Sequence, residues 1–582
     1  MASTLGVLDG QDRRPFVSCL LGLYGCRWRR RQRSGAGPAD CCCSKWEGAY
    51  LALLVAAFCL TLIFLYFWVQ AKNDYNDFDW FNFGNMGFWF PWTVVLLVIA
   101  AVFFSYTAML MLLAICLLSH RQTLCLHWLH KMGVAVSLAF AVMATSVMSE
   151  LWGQGWSTLL LSFQVTAPYL HVGGVLVMTT LAWPVALHFF CVGSTVRRGL
   201  ILTVYLVFLS VVYLVPLGLY SPCIRPEGTL GPPPGLIAHR GAPMLAPENT
   251  LMAFEKAVEA GSDGLETDVT ISFDGVPFLM HDRTLERTTD VRQVFPNRTD
   301  TLAAMFMWAE LQSLNAGAWF LSTDPFNTAS SLGKEERLRA GNQSVCSLLD
   351  FLQLAARTDK LVIFDLYQPP EGHPYRMSWI QRTLDVIHKE SSIRPSQVLW
   401  LPPEQRCQVV DVYLDLQQTS GTELPLEELQ RMRIVKLNLH YTSMSAESIS
   451  AYTAMNISTN LYVISEAWLY SLAWCSGVHS VTTNNPQLFH AMRRPLFLMT
   501  PDEYNVMWLI TDVLSLLLIV TIFAFQRWQK QRVTGAGMLD EGTYSQFKTG
   551  QRRCKIHIFR HKVAPLTSNN FSHFDYECNG NV

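Results

Sequence analysis

Apolar positions in this chain are concentrated in two places. A front block at 49–220 and a late run at 505–525 are dense in Leu, Val, Ile, Phe and Ala, while the stretch between them mixes apolar and polar residues as a globular domain does. A membrane-crossing helix needs about 20 apolar residues. Six runs qualify: 49–70, 92–118, 132–148, 166–192, 199–220 and 505–525, the fourth interrupted by Pro168 and Pro184. The pattern predicts a multi-pass α-helical membrane protein with five parts: a basic, Cys-rich segment at 1–48, five spans within 49–220, a separate domain at 221–500, a sixth span at 505–525 and a tail at 526–582.

Composition agrees, with 51% hydrophobic and only 15% charged residues, where soluble domains carry about 25% charge. A net charge of −1 offers no global attraction to nucleic acid. The short flanks set the orientation, because Lys and Arg collect on the cytosolic side. Arg27, Arg29, Arg30, Arg31 and Arg33, then Arg121 and Lys131, Arg197 and Arg198, and Arg527, Lys530 and Arg532 all fall on one side if there are six spans. The opposite connections carry Asp74, Asp77, Asp79 and Glu150. Both termini are therefore expected in the cytosol and the 221–500 domain outside or in a lumen, at the plasma membrane. The sequons at Asn297, Asn342 and Asn456 fit that side as glycosylation sites. So do Cys223, Cys346, Cys407 and Cys475, which allow three pairings if two disulfides form, or stay as buried thiols. Cys41, Cys42 and Cys43, just ahead of the first span, are candidates for palmitoylation or remain plain thiols.

The large segment opens on an apolar run, Gly235-Leu236-Ile237-Ala238, that delivers His239 and Arg240 and then turns at Gly241. Gly264-Leu265-Glu266-Thr267-Asp268-Val269 follows, and strand alternation puts Glu266 and Asp268 on one face, about 7 Å apart. Two such carboxylates either form a solvated acidic face or hold a cation, and a hard divalent ion, Ca²⁺ or Mg²⁺, suits them. A third apolar run ends in His281-Asp282. Two histidines at strand ends around a carboxylate pair fit metal-assisted phosphodiester cleavage. The ion neutralises a phosphate oxygen, Arg240 grips the phosphate, one His takes a proton from the nucleophile and the other gives one of its own to the leaving alkoxide. No Ser or Cys nucleophile stands beside either His, which argues against acyl-enzyme chemistry.

His239-Arg240-Gly241, Pro247-Glu248-Asn249-Thr250, Glu266-x-Asp268, His281-Asp282-x-x-Leu285-x-Arg287-Thr288-Thr289 and Ala316-Gly317-Ala318-Trp319-Phe320 together resemble the glycerophosphodiester phosphodiesterase family. The front spans and the Leu126-His127-Trp128-Leu129-His130-Lys131 connection resemble its six-span vertebrate branch. The resemblance implies an α/β TIM barrel with its site at the carboxyl ends of the strands. It implies catalysis by His239, His281 and Arg240, substrate contacts from Arg240, Asn249 and Tyr367, and metal ligation by Glu266, Asp268 and Asp365. Asp365 and Tyr367 stand where the family usually has Glu and Lys, and Thr483-Asn484-Asn485-Pro486 replaces a usual Thr-Asp-x-Pro. The implied substrates are glycerophosphodiesters such as glycerophosphoinositol and glycerophosphocholine, or a GPI-type anchor at the membrane.

Independently, strand candidates at 361–366, 398–401, 434–439, 460–464 and 480–483 alternate with helical stretches as one barrel requires. A further candidate lies at 409–416, and the 283–343 insertion is expected to act as a lid. Two other functions are weighed. One is a catalytically weakened signalling or adhesion protein that keeps the barrel as a binding module. The other is a transporter, suggested by His171 within a span.

Overall fold

The computed structural model describes the backbone of residues 13–26, 45–119, 122, 124–218, 220–443 and 445–550; Cys41, Cys42 and Cys43 lie outside the described residues. A short helix, α1 (Arg13–Gly25), is followed by α2 (Lys45–Gln70), α3 (Tyr75–Met86), α4 (Trp92–Ser119), α5 (Trp128–Leu151), α6 (Gln154–Cys191) and α7 (Thr195–Leu214). Helix Pro501–Gly550 closes the described chain; as far as Ile522 it belongs with the bundle and barrel, and from Phe523 on it forms a second unit. Among the described residues, six helices are long and apolar enough to cross a membrane.

Helix α6 starts a dozen residues before its expected run and continues through both Pro168 and Pro184. Proline is tolerated in such helices because neighbouring groups satisfy the freed backbone. The bundle is stitched by hydroxyls: Thr61 meets Thr107 at 3.2 Å, Tyr66 meets Thr166 at 2.7 Å, and Thr179 meets Ser515 at 2.6 Å. Between apolar faces such pairs supply the specificity that hydrophobic burial cannot. Val98, Leu112, Val177, Leu206 and Leu517 face outward.

The barrel is built from β1 (Gly235–Ala238), β2 (Gly264–Ile271), β4 (Leu361–Leu366), β5 (Val398–Trp400), β6 (Gln417–Ser420), β7 (Ile434–His440), β8 (Ser458–Tyr462) and β9 (Ser480–Thr483), with β3 (Pro277–Leu279) outside it. Among the described residues, these eight strands run parallel and close, because β1 pairs with both β2 and β9. Amphipathic helices pack outside them: Phe254 of Leu251–Glu259 and Phe351 of Leu348–Thr358 join Leu265 and Phe364 in one buried cluster. Ile237, Ile363 and Leu399 fill part of the interior, while Asn460 donates to Asn438 and Thr482 at 2.7 and 2.8 Å.

Three expectations are corrected. β3 is not a barrel strand but an antiparallel partner of β2, with Val269 opposite Leu279. Residues 406–412 form a helix, and the strand that follows it is β6. The cysteines form one disulfide among the described residues, Cys223–Cys475, while Cys346 is a buried thiol and Cys407 an exposed one. Cys346 packs with Leu348 and Phe351 as a small apolar residue.

The barrel presents the carboxyl ends of its strands to the bundle. Beyond β7, Tyr441 bonds both Asp74 and, at 2.7 Å, Thr158 of α6. Beyond β8, the Asn73 side chain accepts from Ser465 N (2.7 Å) and donates to Val463 O (3.0 Å). Leu161 and Val165 of α6 share a buried cluster with Leu461 and Ile464. Helix α3, the connection between the first two spans, consequently lies over the mouth of the barrel. The 283–343 insertion is a packed side layer with its own core of Leu285, Val291, Phe306, Leu311 and Leu314.

Candidate active site

A cavity of about 840 Å³ opens at the carboxyl ends of the strands and gathers His239, Arg240, Glu266, Asp268, His281, Asp365 and Tyr367. His239 follows directly on β1, and its backbone N–H donates to Thr483 O at 2.9 Å. Arg240 then takes φ +53° and Gly241 φ +87°. Gly241 is required there, since a Cβ would lie 2.7 Å from Ala253 backbone. This tight turn points the Arg240 N–H at Glu266 Oε2 (2.8 Å).

On β2, alternation puts Glu266 and Asp268 on the interior face, and Asp365 is the register partner of Asp268 across β4. One carboxylate oxygen from each of the three lies within 4.8 Å of the others. Burial first, then Asp268 and Asp365, push Glu266 well above the usual carboxylate range. Burial and then Asp268 raise Asp365 to about 6. Burial also opposes the charge on Asp268, but Arg240 and, after it, His281 hold that carboxyl low. Three converging hard oxygen donors with too little positive charge between them fit a divalent cation such as Ca²⁺ or Mg²⁺.

The histidines are held differently. His239 Nδ1 donates to Asn484 Oδ1 at 2.7 Å, which leaves Nε2 with its lone pair, 3.9 Å from Glu266 Oε2. Burial and then Arg240 lower His239 to about 3, so its imidazole is neutral at ordinary pH. His281 Nδ1 donates to Asp282 Oδ1 at 2.7 Å. Arg287 grips Asp282 through Nε (2.6 Å) and Nη2 (2.8 Å), and reaches Glu248 through Nη1 (3.0 Å) and Nη2 (2.6 Å). Burial works against these charges, but Arg287 outweighs it and holds Asp282 far below its usual range, and Glu248 at about 2. Glu248 also ion-pairs Arg240 at 3.1 Å, and Arg240 Nε lies 3.2 Å from Asp268.

Asn249 departs from expectation. It is buried behind Asp268, donating to Oδ2 at 3.1 Å and accepting from Thr267 at 2.7 Å, so it orients that carboxylate and does not line the cavity. Tyr367 lines the cavity and donates to Asp268 Oδ1 at 3.0 Å. Asn297, Asn342 and Asn456 are all exposed on the domain. Sequence reasoning gave no role to Glu248, Asp282 and Arg287, although their opposite charges within one motif signal an ion-pair network. It also missed Asp77 and Trp80, which reach the cavity from α3; no local signal marks them.

Residues 239–399 match the model of the glycerophosphoryl diester phosphodiesterase family. The chain is 47% identical to glycerophosphodiester phosphodiesterase domain-containing protein 5 of Homo sapiens over 88% of this chain and 84% of that one. It is 38% identical to domain-containing protein 4 of Mus musculus, over 88% and 85%. It is 39% identical to glycerophosphoinositol inositolphosphodiesterase GDPD2 of Homo sapiens, over 88% and 93%. The chain belongs to the glycerophosphoryl diester phosphodiesterase family, a class of phosphodiester hydrolases.

Proposed function

We propose that this protein hydrolyses glycerophosphodiesters at the outer membrane face by divalent-metal-assisted acid–base catalysis. The candidate substrates are glycerophosphoinositol, glycerophosphocholine and GPI-type anchors. The observation that carries the reading is the convergence of two differently held histidines, one arginine and three carboxylates in a single cavity. Glu266, Asp268 and Asp365 would hold the cation, which when bound neutralises negative charge on the phosphodiester. Arg240 offers a fixed fork of donors to a phosphate oxygen. His239, neutral and with Nε2 free, takes the proton from the attacking hydroxyl or water. His281, oriented by Asp282, gives a proton to the departing alkoxide.

A cell-surface assay tests this. Release of choline, inositol phosphates and GPI-anchored protein is measured with and without a chelator, and for His239→Ala. Product formation that disappears under both treatments supports the mechanism. Product that survives both sinks it, and no product from any head group favours a binding role for the barrel.

A further inference from the structure

The geometry points to Trp80, on helix α3 between the first two spans, as a positioning residue for His281, acting through Arg287 and Asp282. This rests on the catalytic reading above. The Arg287 side chain is 4% exposed, and its donors are committed in the plane of the guanidinium to Asp282 and Glu248. What remains to be fixed is its tilt, which only its two faces can control. The Trp80 ring lies 4.5 Å from the guanidinium carbon and the Trp319 ring 5.7 Å, and the two rings pack edge to face at 5.9 Å. An aromatic face holds a guanidinium by cation–π attraction as well as by contact. A tilt of Arg287 would move both bonds to Asp282, and Asp282 is the acceptor that sets the ring of His281.

Trp80 is itself held. Before α3, Asn73 accepts from Ser465 N at 2.7 Å and Glu466 N at 3.3 Å, and Lys72 pairs with Glu466 at 3.5 Å. Within α3, Asp79 accepts from the Thr93 N–H at 3.1 Å and its hydroxyl at 2.8 Å. The Trp80 ring packs on Trp89 at 4.1 Å. Membrane-domain contacts thus reach the acid–base pair through three consecutive side-chain contacts, Trp80 to Arg287 to Asp282 to His281.

The test uses the full chain in detergent or nanodiscs, turning over glycerophosphoinositol and glycerophosphocholine. Misplacing a catalytic group by a fraction of an ångström costs on the order of tenfold in rate. Trp80→Ala and Trp80→Leu are expected to lower kcat by about tenfold with KM within about twofold, and Trp80→Phe to recover most of the loss. Trp80→Leu keeps apolar bulk, so it reports on the ring face should Trp80→Ala fold poorly. In an Arg287→Lys background, Trp80→Leu should add less than about twofold, because contacting residues in one chain of action are not additive. Wild-type kcat in Trp80→Leu, a change in KM alone, or full multiplication of the two penalties would each overturn the inference. A wild-type chain that turns over no glycerophosphodiester overturns the catalytic reading itself; an active wild type with an indifferent Trp80 overturns only this step.

Discussion

The Tyr367 hydroxyl donates to Oδ1 of Asp268 at 3.0 Å, on the carboxylate whose other oxygen takes Asn249 and faces Arg240. A position where the family usually carries a cation is thus occupied by a neutral donor that orients a carboxylate of the proposed metal site. Outer partners of metal ligands are typically worth roughly 10- to 100-fold in affinity. Tyr367→Phe should raise the Ca²⁺ or Mg²⁺ concentration for half-maximal activity by about tenfold, with the metal-saturated rate little changed. A titration of activity against free cation checks this, and an unchanged midpoint would deny Tyr367 the role.

Asn484 accepts the hydrogen bond from His239 Nδ1 at 2.7 Å, so its charge state bears directly on that imidazole. In the folded chain His239 lies at about 3, lowered by burial and by Arg240, so its neutral form is available at any higher pH. Asn484→Asp would place an anion on Nδ1, favour the imidazolium and raise that value. A contacting opposite charge shifts a pKa by about 1–3 units. The variant should therefore lose the neutral base as pH falls, and its rate at pH 5 relative to pH 7 should drop by up to roughly tenfold more than the wild type's. A pH–rate profile of kcat/KM decides it.

Without a cation, the carboxylate cluster is expected to oppose folding at neutral pH. Asp365 is raised to about 6, by burial and then by Asp268, above the 3.8 expected in the unfolded chain. A raised acid binds its proton more tightly in the folded state, so its charge opposes folding at neutral pH and stops doing so as pH falls below about 4. With a chelator at pH 7, Asp365→Asn should melt above the wild type, and the gap should close on acidification towards pH 4. Saturating cation should raise the wild-type melting temperature more than the variant's, since a ligand that binds only the native state stabilises it. Thermal unfolding across pH, with and without EDTA, measures both; a variant that melts below the chelated wild type at pH 7 refutes the account.

The parts of this architecture legible in the sequence are those whose signal is local. Apolar runs marked the membrane helices, β1 announced itself by a short apolar run delivering His239, and β2 by the alternation that carries Glu266 and Asp268. β6 was hidden because it reads Gln417-Gln418-Thr419-Ser420, polar residues that become buried between parallel neighbours, while the apolar 409–416 stretch just before it is largely helical. β3 misled because its apolar residues pack beside β2 without entering the barrel. The cavity roof was illegible for another reason. Trp80 and Arg287 are far apart in sequence, and only the folded chain shows that a membrane connection reaches the site.

Cys223–Cys475 ties the segment before β1 to the helix Ala467–Cys475, across 252 residues of chain. Removing a native disulfide from a small domain typically costs roughly 2–5 kcal/mol, more for long loops in the chain-entropy account. The Cys223→Ala, Cys475→Ala double variant should melt well below the wild type while kcat is retained at low temperature, since neither residue lines the catalytic cavity. Both cysteines are buried, at 0% and 3% exposure, so reductant should act on the bond only as the domain opens. Non-reducing peptide mapping and melting curves check the pairing and its effect.

The proposed outward placement of the barrel is testable through its sequons. Asn297, Asn342 and Asn456 are exposed at turns or helix ends of the domain, where an oligosaccharide can be carried without displacing the core. If the charge asymmetry sets both termini in the cytosol, all three acceptors meet the glycosylation machinery, whereas the sequon at Asn570 in the tail does not. Deglycosylation of the cell-expressed protein should then remove mass, and Asn297→Gln, Asn342→Gln and Asn456→Gln should each remove one increment while Asn570→Gln removes none. Loss of an increment with Asn570→Gln would invert the proposed topology, and with it the side of the membrane on which substrate is met.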